Sequence, residues 1–206
     1  ILSSIVLIPV ALFFVIKGSF LFIFFISTCF CIILYEWHMM RKKKSYYFLG
    51  FLFLIFSFVT IYELRFANYI LGKDYMWILI ILIVCVSTDV GGYIFGKIFK
   101  GPKLTKLSPN KTYAGMFGGY ILSLIALSFS FQYFKLELSI EWLLFTLLVS
   151  SVSQLGDIII SYFKRLSKIK DTGKIIPGHG GLLDRVDGMI FAFPFAYIII
   201  LTGVFG

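Results

Sequence analysis

One stretch of this 206-residue chain gathers residue types that handle phosphate. Ser161 is followed by Lys164 and Arg165, then by Lys170 and Asp171. Gly173, Pro177, His179, Gly180 and Gly181 come next, and Asp184, Arg185 and Asp187 end the stretch. Lysine and arginine offer charge-assisted hydrogen bonds to phosphate oxygens. Glycines let a backbone approach a ligand closely. Asp184 and Asp187 are three apart, which puts them on one helix face, here expected at the start of the last apolar segment. Carboxylates among basic residues suit a hydrated divalent cation bridging to a nucleotide polyphosphate. Mg²⁺ takes one or two carboxylates and completes its shell with phosphate oxygens and water. A basic loop with turn glycines accounts for the lysines but not for the two aspartates around Arg185.

The segment before this stretch extends it. Ser153, Asp157, Ser161 and Lys164 are spaced by four, four and three residues, which is one stripe of a helix. A polar stripe on an apolar helix must face protein or water. Asp157 and Asp89 both lie inside apolar runs, seven and eight residues from the next lysine. That puts them about 10–12 Å below a membrane surface at 1.5 Å per residue. A charge in such a place costs about 2.5–3.5 kcal/mol on insertion scales, so both are functional candidates. A second loop, with Gly96, Lys97, Ser108, Lys111 and Thr112, combines hydroxyls and lysines before a helix start and suits phosphate. It has no Walker A pattern, and Gly115, Gly118 and Gly119 equally permit close helix packing. His179 is expected to contact phosphate or fix the Gly180-Gly181 turn, not to act as a general base. A phosphate-monoester nucleophile is already ionised near neutral pH, with a second pKa of about 6.

The elements that must carry these residues are apolar helices. The composition is 60% hydrophobic and 14% charged, against about 25% charged in a soluble domain. The net charge of +9 sits in short clusters between apolar runs, which is a membrane-topology pattern and not a nucleic-acid surface. Cys29, Cys31 and Cys85 lie within apolar runs, with no metal or disulfide spacing. Hydropathy predicts an all-α polytopic membrane protein with about seven spans: 1–16, 19–35, 46–62, 75–95, 112–134, 141–163 and 189–205. The first two, joined by Lys17-Gly18, suggest a tight helical hairpin. Ile1, with no preceding Met, suggests a first span that starts short of the native N-terminus and is not a signal peptide. Residues 1–206 read as one membrane-embedded domain. Residues 1–74 form its N-terminal spans, and 75–206 its catalytic part with loops 96–112 and 164–188. With these spans, 15 of the 19 basic residues fall on one side, expected to be the cytosol.

Read as SYFKRLSKIKDTGKIIPGHGGLLDRVD from Ser161 to Asp187, the chain resembles the phosphatidate cytidylyltransferase family, the CDP-diacylglycerol synthases. Ser153 to Asp157, Asp89 with Gly91, and Ser108 to Thr112 are similar to the family pattern as well. One departure is Ala114, where the family often has Glu. The resemblance implies transfer of the cytidylyl group of CTP to phosphatidic acid, giving CDP-diacylglycerol and pyrophosphate. It implies Mg²⁺ near Asp157 and Asp184, with K⁺ as a further cation, and a fold whose members can form homodimers. Catalytic roles are then expected for Asp157, Lys164, Asp184 and Asp187. Substrate contacts are expected for Asp89, Ser108, Lys111, Thr112, Ser161, Arg165, Lys170, Asp171, His179, Gly180, Gly181 and Arg185. The expected location is the cell (inner) membrane. The alternatives are a cytidylyltransferase of another lipid phosphate, a lipid kinase, a transporter, and a scaffold with an inert site.

Overall fold

The structure is a computed structural model that describes residues 2–40, 44–66, 75–105, 108, 111–173, 175 and 180–203. It contains α1 (Leu2–Lys17), α2 (Ser19–Met39), α3 (Lys44–Phe66), α4 (Met76–Phe99), α5 (Tyr113–Phe134), α6 (Ile140–Leu166), α7 (Leu183–Val186) and α8 (Met189–Leu201). Among the described residues there is no strand, and Lys103 and Thr112 form one isolated antiparallel bridge. Among the described residues, five helices are long and apolar enough to cross a membrane: Phe20–Met39, Tyr46–Phe66, Met76–Phe99, Tyr113–Phe134 and Ile140–Leu166. The all-α polytopic expectation therefore holds. The count of seven is not reached on these criteria, because α1 has 16 residues and α8 has 13. At 1.5 Å per residue, these are shorter than a hydrocarbon core of about 30 Å.

The chain divides into two compact units, one of residues 1–79 and 163–187, the other of 80–162 and 188–206. In the first, α1 and α2 meet at Gly18, whose φ of +62° turns the chain between them. Phe14 stacks on Phe25 with ring centroids 4.7 Å apart, closing the expected hairpin. Arg65 at the end of α3 is buried against this turn. Its Nε donates to the Val15 carbonyl at 3.1 Å, and its guanidinium lies over the rings of Phe22, Phe66 and Tyr75. A buried cation is tolerable there because the carbonyl and the ring faces replace water. Farther along, Trp37 of α2 fills the notch left by Gly50, packs edge-on against Phe163 at 5.5 Å, and donates from Nε1 to the Tyr47 carbonyl at 3.1 Å.

In the second unit, α4 and α5 approach through glycines. A Cβ on Gly91 would strike the Gly118 carbonyl, and one on Gly115 would stand 2.7 Å from the Gly92 oxygen. Small residues allow such backbone contact where lipid offers no hydrophobic drive for association. On α6, Ser150 accepts from Thr88 of α4 at 2.8 Å, and Ser151 bonds Tyr120 of α5 at 2.9 Å. On α5 the opposite face shows Phe117, Ile121, Ile125 and Phe129 exposed, a stripe at four-residue spacing. An exposed apolar stripe of this length suits acyl chains and not water.

A Gly91→Ala substitution should destabilise α4–α5 packing by about 1–3 kcal/mol, the usual cost of overpacking. Gly92→Ala, whose Cβ would meet the Gly115 oxygen at an ordinary 3.7 Å, should change little. Thermal unfolding of both variants in one detergent compares them.

Candidate active site

The polar stripe begins on α6. That helix starts with Glu141 and ends with Lys164 and Arg165, so the charges at both ends complement its dipole. It runs to Leu166, past the boundary expected from hydropathy, and so carries Lys164 and Arg165 on its last turn instead of in a loop. Ser153 is buried, and a Cβ on Gly188 would stand 2.7 Å from its carbonyl oxygen, so the stripe begins against the entry to α8.

In the second unit, Asp157 forms an ion pair with Lys111, and Ser161 donates to its Oδ1 over a long 3.4 Å. The Asp157 side chain keeps 29% exposure. Lys111 is delivered by a folded loop. Leu104 donates to the Lys111 carbonyl at 2.7 Å, Lys111 donates to the Ser108 carbonyl at 3.0 Å, and Ser108 donates to Thr105 Oγ1 at 3.1 Å. Thr112 closes the loop as the N-cap of α5, accepting from the Gly115 amide at 3.1 Å. Ser108 and Thr112 thus shape the loop that presents Lys111. Asp89 is exposed on α4. Ala114 is half-buried on the first turn of α5.

In the first unit, Lys164 donates to Asp184 Oδ1 at 2.8 Å. Asp184 Oδ2 accepts from the Thr172 amide at 2.8 Å, the Thr172 hydroxyl at 3.1 Å and the Gly181 amide at 3.0 Å. Burial works to raise the Asp184 carboxyl. The Lys164 ammonium and the two amides overcome it and hold the group below the ordinary carboxylate range. Asp184 sits on the short helix α7, separate from α8, which corrects its expected place at the start of the last span. A four-residue helix within a Gly-rich connection leaves no hydropathy signal of its own. Asp187 and Gly188 keep right-handed helical angles (φ −56°, ψ −38° and φ −72°, ψ −40°), so Asp184 and Asp187 are still one turn apart. Asp187 is buried, and Arg185 is half-buried. Arg165, Lys170 and Asp171 are exposed, and Arg165 donates to the Ile169 carbonyl at 3.4 Å. The expectations for Pro177 and His179 lie outside the described residues.

The glycines of the loop are fixed by space. Gly180 has φ +87°, and a Cβ there would stand 2.8 Å from Asp184 Oδ2; one on Gly181 would stand 2.6 Å from Glu36 Oε1. Glu36 was assigned no role from sequence. It is 1% exposed, near the end of α2, and accepts from the Leu182 and Leu183 amides, both at 2.8 Å, and from the Thr172 hydroxyl at 3.0 Å. Hydropathy ended that span at residue 35, which left Glu36 looking like part of the charged connection. The helix continues to Met39, so Glu36 is an acid within an apolar helix, the same signal that singled out Asp89 and Asp157.

The depressed Asp184 carboxyl gives a pH signature. Its contribution to stability is fully present above the ordinary carboxylate range, near 4, and is lost as pH falls through its own lower value. The melting temperature of the parent chain should exceed that of Asp184→Asn by a constant margin between about pH 7 and pH 5. The margin should shrink below about pH 4, which parallel melts across that range would read.

A sequence model described as the cytidylyltransferase family matches residues 66–202. Curated relatives carry the name phosphatidate cytidylyltransferase. One from Staphylococcus epidermidis is 38% identical over 148 residues, covering 70% of this chain and 54% of the relative. One from Staphylococcus haemolyticus is 43% identical over 128 residues, covering 61% and 49%. One from Staphylococcus aureus is 37% identical over 148 residues, covering 70% and 54%. The chain spans about half the length of the curated relatives it matches. The matched region takes in both carboxylate–lysine pairs and the whole connection from α6 to α8, and it exceeds half of the sequence. By that match, the chain belongs to the cytidylyltransferase family.

Proposed function

We propose that this chain transfers the cytidylyl group of CTP to phosphatidic acid, releasing pyrophosphate and forming CDP-diacylglycerol for phospholipid synthesis. The observation that carries the reading is the convergence of Lys164 and of donors on Thr172 and Gly181 upon Asp184. It is supported by family membership and by the relatives' names. In this reading a phosphate oxygen of phosphatidic acid attacks the α-phosphorus of CTP in line, and the bond to the pyrophosphate oxygen breaks. The nucleophile is already ionised, so the protein's task is positioning and charge neutralisation.

The residues fit a divalent cation held partly by substrate. Asp157 is partly exposed, and among the described residues it pairs with Lys111 and accepts one long hydroxyl bond, which leaves lone pairs for an ion. At Asp184 an ion would exchange with Lys164 at Oδ1, because Oδ2 already accepts from two backbone amides and shares the Thr172 hydroxyl with Glu36. Among the described residues no group of three His, Cys, Asp or Glu stands together as a cage, so a bound ion would draw the rest of its ligands from phosphate and water. Bound there, Mg²⁺, with K⁺ as a further cation, would neutralise charge on the transferred and leaving phosphates. Lys111 and Lys164 hold the two carboxylates and supply positive charge to phosphates. Arg165, Lys170 and Arg185 add charge, with Asp89, Ser108, Thr112, Ser161 and Asp171 as further contacts and Asp187 as a further acid.

Membrane embedding suits the substrates, since the acyl chains stay in the bilayer while the headgroup meets a water-soluble nucleotide. The basic connections support an active site facing the cytosol of a cell membrane, and homodimer formation remains part of the proposal. Purified protein given labelled CTP, phosphatidic acid and Mg²⁺ should yield CDP-diacylglycerol and pyrophosphate. Release of CDP instead would indicate a lipid kinase. Asp157→Asn should insert normally and lose about 100-fold or more of turnover. Turnover like that of the parent chain would remove Asp157 from the metal-binding role.

A further inference from the structure

We propose that Glu36 is a positioning residue for this transfer reaction, and that α2 therefore belongs to the active machinery although the family match begins at residue 66. The proposal rests on the cytidylyltransferase reading above.

Glu36 uses both carboxylate oxygens on one loop. Oε1 accepts from the Leu182 amide at 2.8 Å, and Oε2 accepts from the Leu183 amide at 2.8 Å and the Thr172 hydroxyl at 3.0 Å. Leu183 opens α7, and Asp184 is the next residue. Where Glu36 stands thus decides where Asp184 begins. The two acids also share a neighbour. The Thr172 hydroxyl lies 3.0 Å from Glu36 Oε2 and 3.1 Å from Asp184 Oδ2, while the Thr172 amide donates to Asp184 at 2.8 Å. A hydroxyl has one hydrogen to give, so Thr172 satisfies either acid at one moment and ties their positions together.

The surroundings are shaped to the Glu36 carboxylate. A Cβ on Gly173 would stand 2.8 Å from its Oε1, and one on Gly181 would stand 2.6 Å from the same atom. Gly173 and Gly181 therefore both make room for the Glu36 carboxylate. Glutamine cannot take its place. It keeps one acceptor oxygen and turns an NH₂ donor toward another donor, leaving a backbone amide unpaired. The chain would then re-seat α7 and carry Asp184 and its Lys164 partner with it. A shift of about 1 Å at a reacting group costs about 100-fold in rate.

The test uses the full chain, with CTP and phosphatidic acid as substrates. Glu36→Gln should lower kcat about 100-fold and leave both KM values within about threefold, the mark of geometry lost in the transition state and not of lost binding. Hydrogen exchange at the Leu182 and Leu183 amides should quicken. Thr172→Val should lose less, and the double variant should lose no more than Glu36→Gln, because both act through one network. Glu63→Gln, at an exposed acid of α3, should match the parent chain. Parent-like kcat in Glu36→Gln, or an equal loss in Glu63→Gln, overturns the proposal. If Glu36→Gln fails to fold, Thr172→Val decides. A loss of about 10-fold in its kcat at an unchanged melting temperature supports the clamp, and unchanged kcat overturns it. A parent chain that makes no CDP-lipid removes the cytidylyltransferase reading; exchange at Leu182 and Leu183 in Glu36→Gln then still upholds or overturns the clamp.

Discussion

A carboxylate withdrawn from water stays in place only if donors replace the water. That constraint organises this protein. Glu36, Asp157 and Asp184 each meet it with a different kind of donor. Glu36 is held by two backbone amides and a hydroxyl, all part of the fold itself. Asp184 combines such fixed donors with the Lys164 ammonium. Asp157 has a lysine and a distant serine. The series runs from donors fixed in the backbone to donors on flexible side chains. Three acids of nearly the same type are thereby held with different firmness.

Glycines serve the same constraint from the other side. Gly173, Gly180 and Gly181 make room for carboxylate oxygens, and Gly91 and Gly115 make room for a neighbouring carbonyl. Each is placed where a side chain would collide. At Gly180 and Gly18 the backbone also takes a positive φ that few other residues adopt easily. What looks in the sequence like a flexible, glycine-rich loop is, around Asp184, a tightly bonded one.

Much of this was legible beforehand. Long apolar runs and the spacing of Ser153, Asp157, Ser161 and Lys164 report local periodicity, which a sequence carries directly. The hairpin at Gly18 was suggested by the two-residue linker Lys17-Gly18 between two short apolar runs. Three things were not legible. Hydropathy weighs solvation and not helical hydrogen bonding, so it ended α2 at the first charged residue and hid Glu36. The four-residue α7 is set by tertiary bonds to Glu36 and not by its own propensity. The partners of Lys111 and Lys164 depend on side-chain reach across the fold, which spacing along the chain does not encode. Lys164 could be placed on the right stripe, yet its bond to Asp184, twenty residues on, could not be read.

The bonds of Glu36 also set an order of assembly. Its partners lie 136, 146 and 147 residues later in the chain. At a synthesis rate of about 5–20 residues per second, α2 is complete about 7–30 s before the loop that satisfies its acid exists. During that interval the nascent helix carries a polar group without its final donors. Water at the membrane surface, or the translocation machinery, must solvate it until the connection to α8 emerges. The loop that follows α6 is therefore the one that releases the second helix from its provisional surroundings, and maturation of the first unit waits until that loop is made.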